Sequence, residues 1–221
     1  MTKKLLIALM MLAVMITSSV ASAAYEETIE DDADLSTVQK IAVAFPNYYK
    51  MEEKEPSIDE LTREIYEAGK SSSTREIISY DDVASAIRRD TGVDIYKLDT
   101  VEAEKIYEAN VAKYADSYVV ATFANNSGRP WIFYYIYNAA DQKLLYAYSI
   151  QSHLIGKNTK DYRKSAENFY KQFDNAATEK LSKEEKKKVE EKKKELKASK
   201  RKIKKVTYRT GSSKLDKVKK K

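Results

Sequence analysis

Cysteine is absent from this 221-residue chain, which also has only one histidine, one tryptophan, three prolines and five glycines. Without cysteine the protein forms no disulfide, binds no metal through thiolates, uses no cysteine nucleophile and carries no lipid on an amino-terminal cysteine. Serine nucleophiles ordinarily need a basic partner such as histidine. The single candidate, His153, follows a predicted strand, and we interpret it as a loop residue rather than a general base.

Catalytic motifs are equally scarce. The sequence contains no Gly-x-Ser-x-Gly, no His-Glu-x-x-His, no P-loop and no dinucleotide-binding fingerprint. The best carboxylate pair, Asp81 and Asp82, falls in the first turn of a predicted helix, where acidic residues stabilise the helix dipole. We therefore expect no enzyme activity, no catalytic residue, no cofactor and no metal site.

The first 24 residues have the three-part pattern of a removable signal peptide. Lys3 and Lys4 precede an uncharged apolar run at residues 5–16, and residues 17–24 are small, with the cleavage pattern Ala21-Ser22-Ala23. The apolar run is too short to span a bilayer. We predict an exported protein of the periplasm or the extracellular space; an uncleaved anchor is the alternative, and no later segment has transmembrane length.

Charge divides the rest of the chain. Residues 25–178 contain 18 basic and 27 acidic side chains, a net charge of −9, whereas residues 179–221 contain 20 and 7, a net charge of +13. Residues 25–38 are acidic and are predicted to be a mobile leader. The predicted organisation is a signal peptide (1–24), this leader (25–38), an α/β domain (39–178) and a lysine-rich helical and disordered tail (179–221).

Hydrophobic periodicity predicts five strands in the domain. They lie at residues 39–45, 75–79, 117–124, 131–138 and 143–151, and they are rich in β-branched and aromatic residues. Short turns rich in Asn, Asp and Gly separate the last three, which predicts an antiparallel meander.

Four helices are predicted between and after these strands. A capping box, Ser57 with Glu60, begins the first, which Gly69 is expected to end in a left-handed conformation. Ser79 and Asp99 are predicted to cap the second and third, and the fourth begins near Thr159. The order β-α-β-α-α-β-β-β-α predicts an α/β (α+β) fold with a mixed five-stranded sheet, plus a long charged carboxyl-terminal helix.

Four segments carry a resemblance to a known group of proteins. They are the strand at 41–45, the strand-to-helix step at 75–83, the segment at 112–120 and the hairpin at 137–145. Together they resemble the bacterial envelope α/β domain shared by the amino-terminal domain of TolB, CsgG and LpoB. In the segment at 112–120, Tyr114-Ala115 replaces the first glycine that is usual in the group. In the hairpin at 137–145, Ala-Asp-Gln replaces the usual Thr-Gly. The resemblance implies a non-catalytic adaptor or assembly module, and no site residue transfers from it.

Aromatic residues mark a candidate surface for a partner protein or glycan. In the strand at 131–138, Trp131, Phe133, Tyr135 and Tyr137 are expected on one face, with Ile132, Tyr134 and Ile136 on the other. One face is core, and the second is either covered by a helix or free to bind. The candidate partner surface comprises Arg129, Trp131, Tyr135 and Tyr137.

The tail offers a candidate site for anionic surfaces. Residues 182–205 contain no glycine or proline and only one apolar residue in seven, which predicts a solvated single helix. The basic residues proposed to contact an anionic surface are Lys200, Arg201, Lys202, Lys204, Lys205, Lys219, Lys220 and Lys221. Anionic lipid, lipopolysaccharide and wall polymers are the polyanions of an envelope; a spacer without a ligand is the alternative.

The predicted function is that of a non-catalytic exported envelope protein, an adaptor or assembly module that binds other envelope components. The alternatives are an electrostatic tether without a protein partner, a secreted hydrolase and a secreted nucleic-acid binder. Export argues against nucleic acid as the partner, because it directs the chain out of the cytoplasm.

Overall fold

The computed structural model describes residues 24–48, 55–126, 129–151 and 159–179, with 191–192, 194–196 and 198. It shows one mixed sheet with helices on both faces, which confirms the predicted α/β class. The strands are β1 (Ala24–Ile29), β2 (Lys40–Val43), β3 (Asn47–Tyr48), β4 (Glu76–Ile78), β5 (Ser117–Asn126), β6 (Arg129–Asn138) and β7 (Leu144–Gln151). The helices are α1 (Ile58–Ser72), α2 (Tyr80–Thr91), α3 (Thr100–Val111) and α4 (Thr159–Glu179), with 3-10 turns at Leu35–Thr37 and Ile95–Lys97.

The sheet has a parallel part and an antiparallel part. Its order is β1-β7-β6-β5-β2-β4, with the short β3 also paired to β5. Strand β2 is parallel to both β4 and β5, because helices connect these strands and return the chain to the same end of the sheet. Strands β5, β6 and β7 form the expected antiparallel meander. A bulge near Tyr137 shifts the β6–β7 register by one residue.

Two strands were not expected, and one of them replaces the predicted mobile leader. Residues Ala24–Ile29 form β1, which pairs antiparallel with β7 from Ala24 opposite Gln151 to Ile29 opposite Tyr146. Leu35 and Val38, in and after the following 3-10 turn, are 2% and 3% exposed. The acidic composition indicated a solvated segment, but backbone pairing and these two buried side chains order it.

Polar caps fix the helix starts as the sequence predicts. The Ser57 side chain accepts from the backbone of Glu60, and the Glu60 carboxylate accepts from the Ser57 amide at 2.8 Å. The side chains of Ser79 and Asp99 cap α2 and α3 by accepting hydrogen bonds from the backbone amides of Asp82 and Glu102. Gly92, with φ +75°, ends α2 in the left-handed region.

The predicted end of α1 at Gly69 is wrong. The helix continues to Ser72, and Gly69 lies buried within it. A Cβ at this position would lie 2.7 Å from Cζ of Tyr170 on α4, so glycine is needed here for close helix packing rather than as a stop.

Two buried clusters cover opposite faces of the sheet. Helices α1 and α4 pack on the first face, where Phe169 and Phe173 contact the aromatic side chains of β6 and β7. Helices α2 and α3 pack on the second face, over the side of the sheet formed by β4, β2 and β5. Along the part of the chain that the structure describes, no helix is long and apolar enough to cross a membrane.

Several sequence predictions lie outside the described residues. These are the signal peptide up to residue 23, His153, and most of the predicted tail helix, of which only 191–192, 194–196 and 198 are described, all helical.

Candidate interaction face

Strand β6 divides its aromatic and aliphatic side chains between the two faces of the sheet. Ile132, Tyr134 and Ile136 are 0% exposed and pack beneath α4, where the Tyr134 ring stacks on Phe169 with centroids 4.6 Å apart. Trp131, Phe133 and Tyr135 point to the opposite side and are only partly buried. We call the α4 side the covered face and the Trp131 side the open face.

The three rings on the open face form a stacked row. The centroids of Trp131 and Phe133 are 5.8 Å apart with an interplanar angle of 7°, and those of Phe133 and Tyr135 are 6.3 Å apart with an angle of 2°. This geometry follows from the two-residue repeat of a strand, which places alternate side chains side by side on one face. The row is therefore a ridge held in place by regular backbone structure.

Small side chains border the ridge on both neighbouring strands. On β5, Thr122 is opposite Phe133 and Ala124 is opposite Trp131. On β7, Ser149 is opposite Phe133 and Ala147 is opposite Tyr135. Val120 on β5 is opposite Tyr135, and Gln151 on β7 is opposite Trp131, so both neighbouring strands flank the whole row of rings.

No helix within the described residues covers the ridge. Trp131, Phe133 and Tyr135 belong to neither buried cluster, whereas Tyr137, the next alternate residue, packs against the cluster under α2 and α3. Its ring stacks on Tyr118 with centroids 5.4 Å apart. The Tyr137 ring also contacts Tyr135, with centroids 6.3 Å apart and an interplanar angle of 41°, so Tyr137 connects the row of rings to the cluster under α2 and α3.

Burial affects the ionisation of Tyr135 and of the neighbouring Tyr137. Burial raises the pKa of Tyr135, and burial, the neighbouring Tyr135 and the carboxylates of Glu108 and Glu104 raise the pKa of Tyr137. Both hydroxyls can donate hydrogen bonds to a partner.

The other candidate residues fall elsewhere. The Arg129 backbone begins β6 opposite Asn126. The basic residues from Lys200 to Lys221 lie outside the described residues. Asp82 accepts a 2.6 Å hydrogen bond from the Ser79 cap, and Asp81 accepts one from Tyr96, so this carboxylate pair stabilises the start of α2. Over the described ranges, no group of three or more His, Cys, Asp or Glu residues is placed to hold a metal ion.

Comparison with known proteins gives similarities of structure only. No family model matches the sequence, and no curated protein matches it. Among solved structures, the chain is similar to the PelC dodecamer from Paraburkholderia phytofirmans (7% identity, TM-score 0.42, covering 69% of this chain and 98% of that one). It is also similar to the LpoB C-terminal domain from Salmonella enterica (15% identity, TM-score 0.42, covering 54% and 86%).

A third similar structure is TolB from Acinetobacter baumannii, with 11% identity and a TM-score of 0.30, covering 67% of this chain and 29% of that one. LpoB and TolB are two members of the group that the sequence resembles. At these identities and TM-scores, the similarity concerns the general fold and says nothing about function.

Proposed function

We propose that this protein is a non-catalytic module of the bacterial cell envelope that binds another envelope protein through the open face of its sheet. The observation that carries this proposal is the stacked ridge of Trp131, Phe133 and Tyr135, which no described helix covers.

The ridge has the properties of a binding surface. Tryptophan and tyrosine provide large contact areas with few rotatable bonds, and they are enriched among the residues that dominate binding energy. The strand and the ring stacking already hold these three side chains in order, which reduces the entropy lost on binding. Export, predicted from residues 1–24, directs the search for a partner to the envelope.

Site-specific photocrosslinking tests this function. A photoreactive phenylalanine analogue placed at Phe133, on the open face, is compared with one at Arg63, an exposed position of α1 on the other side of the molecule. We expect one discrete crosslinked protein from position 133 and none from position 63. The double substitution Trp131→Ala and Tyr135→Ala should weaken capture about 30-fold, as expected for the loss of about 2 kcal/mol at a binding hot spot.

Tyr66, a partly buried tyrosine of α1, supplies the matched control, since Tyr66→Ala removes a ring of similar exposure from the opposite side. Equal crosslinking from positions 133 and 63, or equal loss of capture with Tyr66→Ala, would show that the open face is not the binding surface.

A second function, electrostatic attachment to an anionic surface, is favoured by the charge division of the chain. Residues 179–221 carry +13 and residues 25–178 carry −9, so attraction to anionic lipid or wall polymer belongs to the tail. Truncation after Lys197 should abolish salt-sensitive binding to vesicles containing anionic lipid. If the truncated protein binds such vesicles as well as the full chain at low and high salt, the tail is a spacer.

A further inference from the structure

A cavity of about 170 Å³ lies between α3 and the sheet, beside the carboxyl end of β2 and the first half of β5. The segment that follows β2 forms one wall, the 3-10 turn at Ile95–Lys97 forms a second, and one face of α3 forms the third. A space of this size holds a group about as large as benzene, which corresponds to one side chain.

Five aromatic rings surround the cavity: Phe45, Tyr80, Tyr96, Tyr107 and Tyr118. They are fixed by mutual contact. Tyr80 and Tyr107 stack with centroids 5.3 Å apart, and Phe45 meets Tyr80 edge to face at 4.3 Å. The Tyr107 hydroxyl is oriented by donating a 2.9 Å hydrogen bond to the Val43 carbonyl. The faces of such rings attract cations.

The charged groups of the cavity wall are all negative. Glu104 and Glu108 of α3 line it, and no lysine or arginine is found among its lining residues in the described chain. Glu108 accepts a 3.3 Å hydrogen bond from the Tyr118 hydroxyl. Burial, and then the charges of Glu108 and Glu104, raise the pKa of Tyr118, so the field of both carboxylates reaches the cavity wall.

The cavity adjoins the open face of the sheet. Val120 and Tyr118 line it from β5, and across the β5–β6 ladder they are opposite Tyr135 and Tyr137. Tyr135 is the last ring of the ridge. An extended segment lying along the ridge therefore reaches the cavity within one or two residues.

We propose that this cavity is a specificity pocket that receives the side chain of one basic residue, arginine or lysine, from the partner polypeptide bound on the open face. The proposal rests on the proposed function and identifies the chemistry of the partner. The aliphatic stem of the basic residue contacts the aromatic walls, and its charged end lies between the rings and the carboxylates of Glu104 and Glu108.

The test uses two small probes of the same shape, n-butylguanidinium and the neutral n-butylurea, added to the ¹⁵N-labelled full chain. We expect n-butylguanidinium to shift the amide resonances of Phe45, Tyr96 and Val120 saturably, and n-butylurea to bind roughly tenfold more weakly. Equal binding of the two probes, or shifts that spread over other acidic surfaces without affecting these amides, would overturn the proposal.

Substitutions then locate the charge. The double variant Glu104→Gln and Glu108→Gln keeps the hydrogen-bond acceptor for Tyr118 and should weaken n-butylguanidinium binding about fivefold. Glu102→Gln, on the exposed first turn of α3, removes one charge of the same helix away from the cavity and should leave binding unchanged. If both variants weaken n-butylguanidinium binding equally, the attraction comes from the overall negative charge of α3, and the proposal of a specific cation pocket is wrong.

A peptide arm separates this inference from the proposed function. A blocked pentapeptide with a central arginine should shift the same amides and bind more tightly than the same peptide with citrulline. Binding of n-butylguanidinium without binding of the arginine peptide would exclude a polypeptide occupant.

If crosslinking from Phe133 persists unchanged in the Glu104→Gln and Glu108→Gln variant, the open face remains the docking surface and the cation pocket is wrong. If Trp131→Ala and Tyr135→Ala leave capture intact, the docking surface itself is wrong.

Discussion

The two faces of β6 differ in what their aromatic side chains do. On the covered face, Tyr134 is fully buried against Phe169 and contributes to the core. On the open face, the Phe133 ring stacks on Trp131 and on Tyr135, and the Tyr135 ring also contacts Tyr137. A single ten-residue strand thus supplies a stabilising surface and an available one, and the two can be separated by substitution.

Truncating one phenylalanine on each face should give the largest difference. Phe169 is 0% exposed and contacts the rings of Tyr134, Tyr146 and Tyr148. Phe169→Ala should lower the free energy of unfolding by about 4 kcal/mol through lost transfer energy and a cavity. Phe133→Ala, on the open face, should lower it by about 1 kcal/mol. Urea unfolding followed by far-UV circular dichroism measures both, and equal losses would show that the open face is part of the core.

Removing the buried carboxylate of α4 should have the next largest effect. Asp174 is 1% exposed, accepts a 2.6 Å hydrogen bond from the Thr74 amide and lies 3.7 Å from the buried Arg75 guanidinium. Asp174→Ala leaves the Arg75 charge buried without its partner and should cost about 3 kcal/mol.

The control for Asp174 is the exposed pair of Lys40 and Glu76, which also joins neighbouring segments, at 3.1 Å. Glu76→Ala should cost less than about 1 kcal/mol. Thermal unfolding of both variants tests whether α4 is held on the covered face by Asp174, and a loss below that of Glu76→Ala would contradict this.

A methyl group between α1 and α4 should have a smaller effect. Gly69→Ala gains helix propensity but places its Cβ 2.7 Å from the Tyr170 ring, which is 0% exposed and has little room to move. We expect a net loss of about 1 to 2 kcal/mol in urea unfolding. Arg63→Ala, on the exposed side of α1, should change stability by less than about 0.5 kcal/mol. A neutral Gly69→Ala would show that the two helices can separate without cost.

The smallest effect concerns alkaline pH. Burial raises the pKa of the Tyr134 hydroxyl above its ordinary value of 10.0, which favours the neutral form in the folded state. Its stabilising contribution is therefore complete below about pH 10 and is lost as pH rises further, because the unfolded chain ionises first. The free energy of unfolding of the wild type should therefore fall between about pH 9 and pH 11, and in Tyr134→Phe this fall should be smaller by about 1 kcal/mol.

Tyr135→Phe should remove less, since Tyr135 is only partly buried and its pKa is also raised by burial. Urea titrations at several pH values measure both slopes. A larger change with Tyr135→Phe than with Tyr134→Phe would reverse the assignment of the two faces.

The parts of the fold that the sequence predicted are local in sequence. Ser57 caps a helix through Glu60, three residues away, and alternate residues of β6 share a face because a strand repeats every two residues. The prediction of a mobile leader, made from acidic composition, missed β1. Composition carries no signal of backbone pairing with a strand more than one hundred residues later. The prediction that Gly69 ends α1 was wrong because the residue that requires glycine there, Tyr170, lies on another helix.

The candidate site was predicted only in part for the same reason. Trp131 and Tyr135 came from one strand, and their shared face was predictable. The cavity is assembled from the segment after β2, the start of α2, a 3-10 turn, α3 and β5, so no spacing in the sequence indicates it. Tyr137 shares this face and contacts Tyr135, but its packing against the cluster under α2 and α3 depends on residues far away in sequence and was not predicted.

Strand β1 also constrains the order in which the sheet can be completed. It is the first strand of the described chain, yet its partner β7 is the last, and Ala24 is opposite Gln151. Contacts between residues so far apart in sequence carry a large loop-closure entropy and form slowly. During synthesis from the amino terminus, β1 is made first but has no strand to pair with until β7 has been made. Folding speed of this chain should therefore depend on a step that cannot begin before almost the whole domain has emerged.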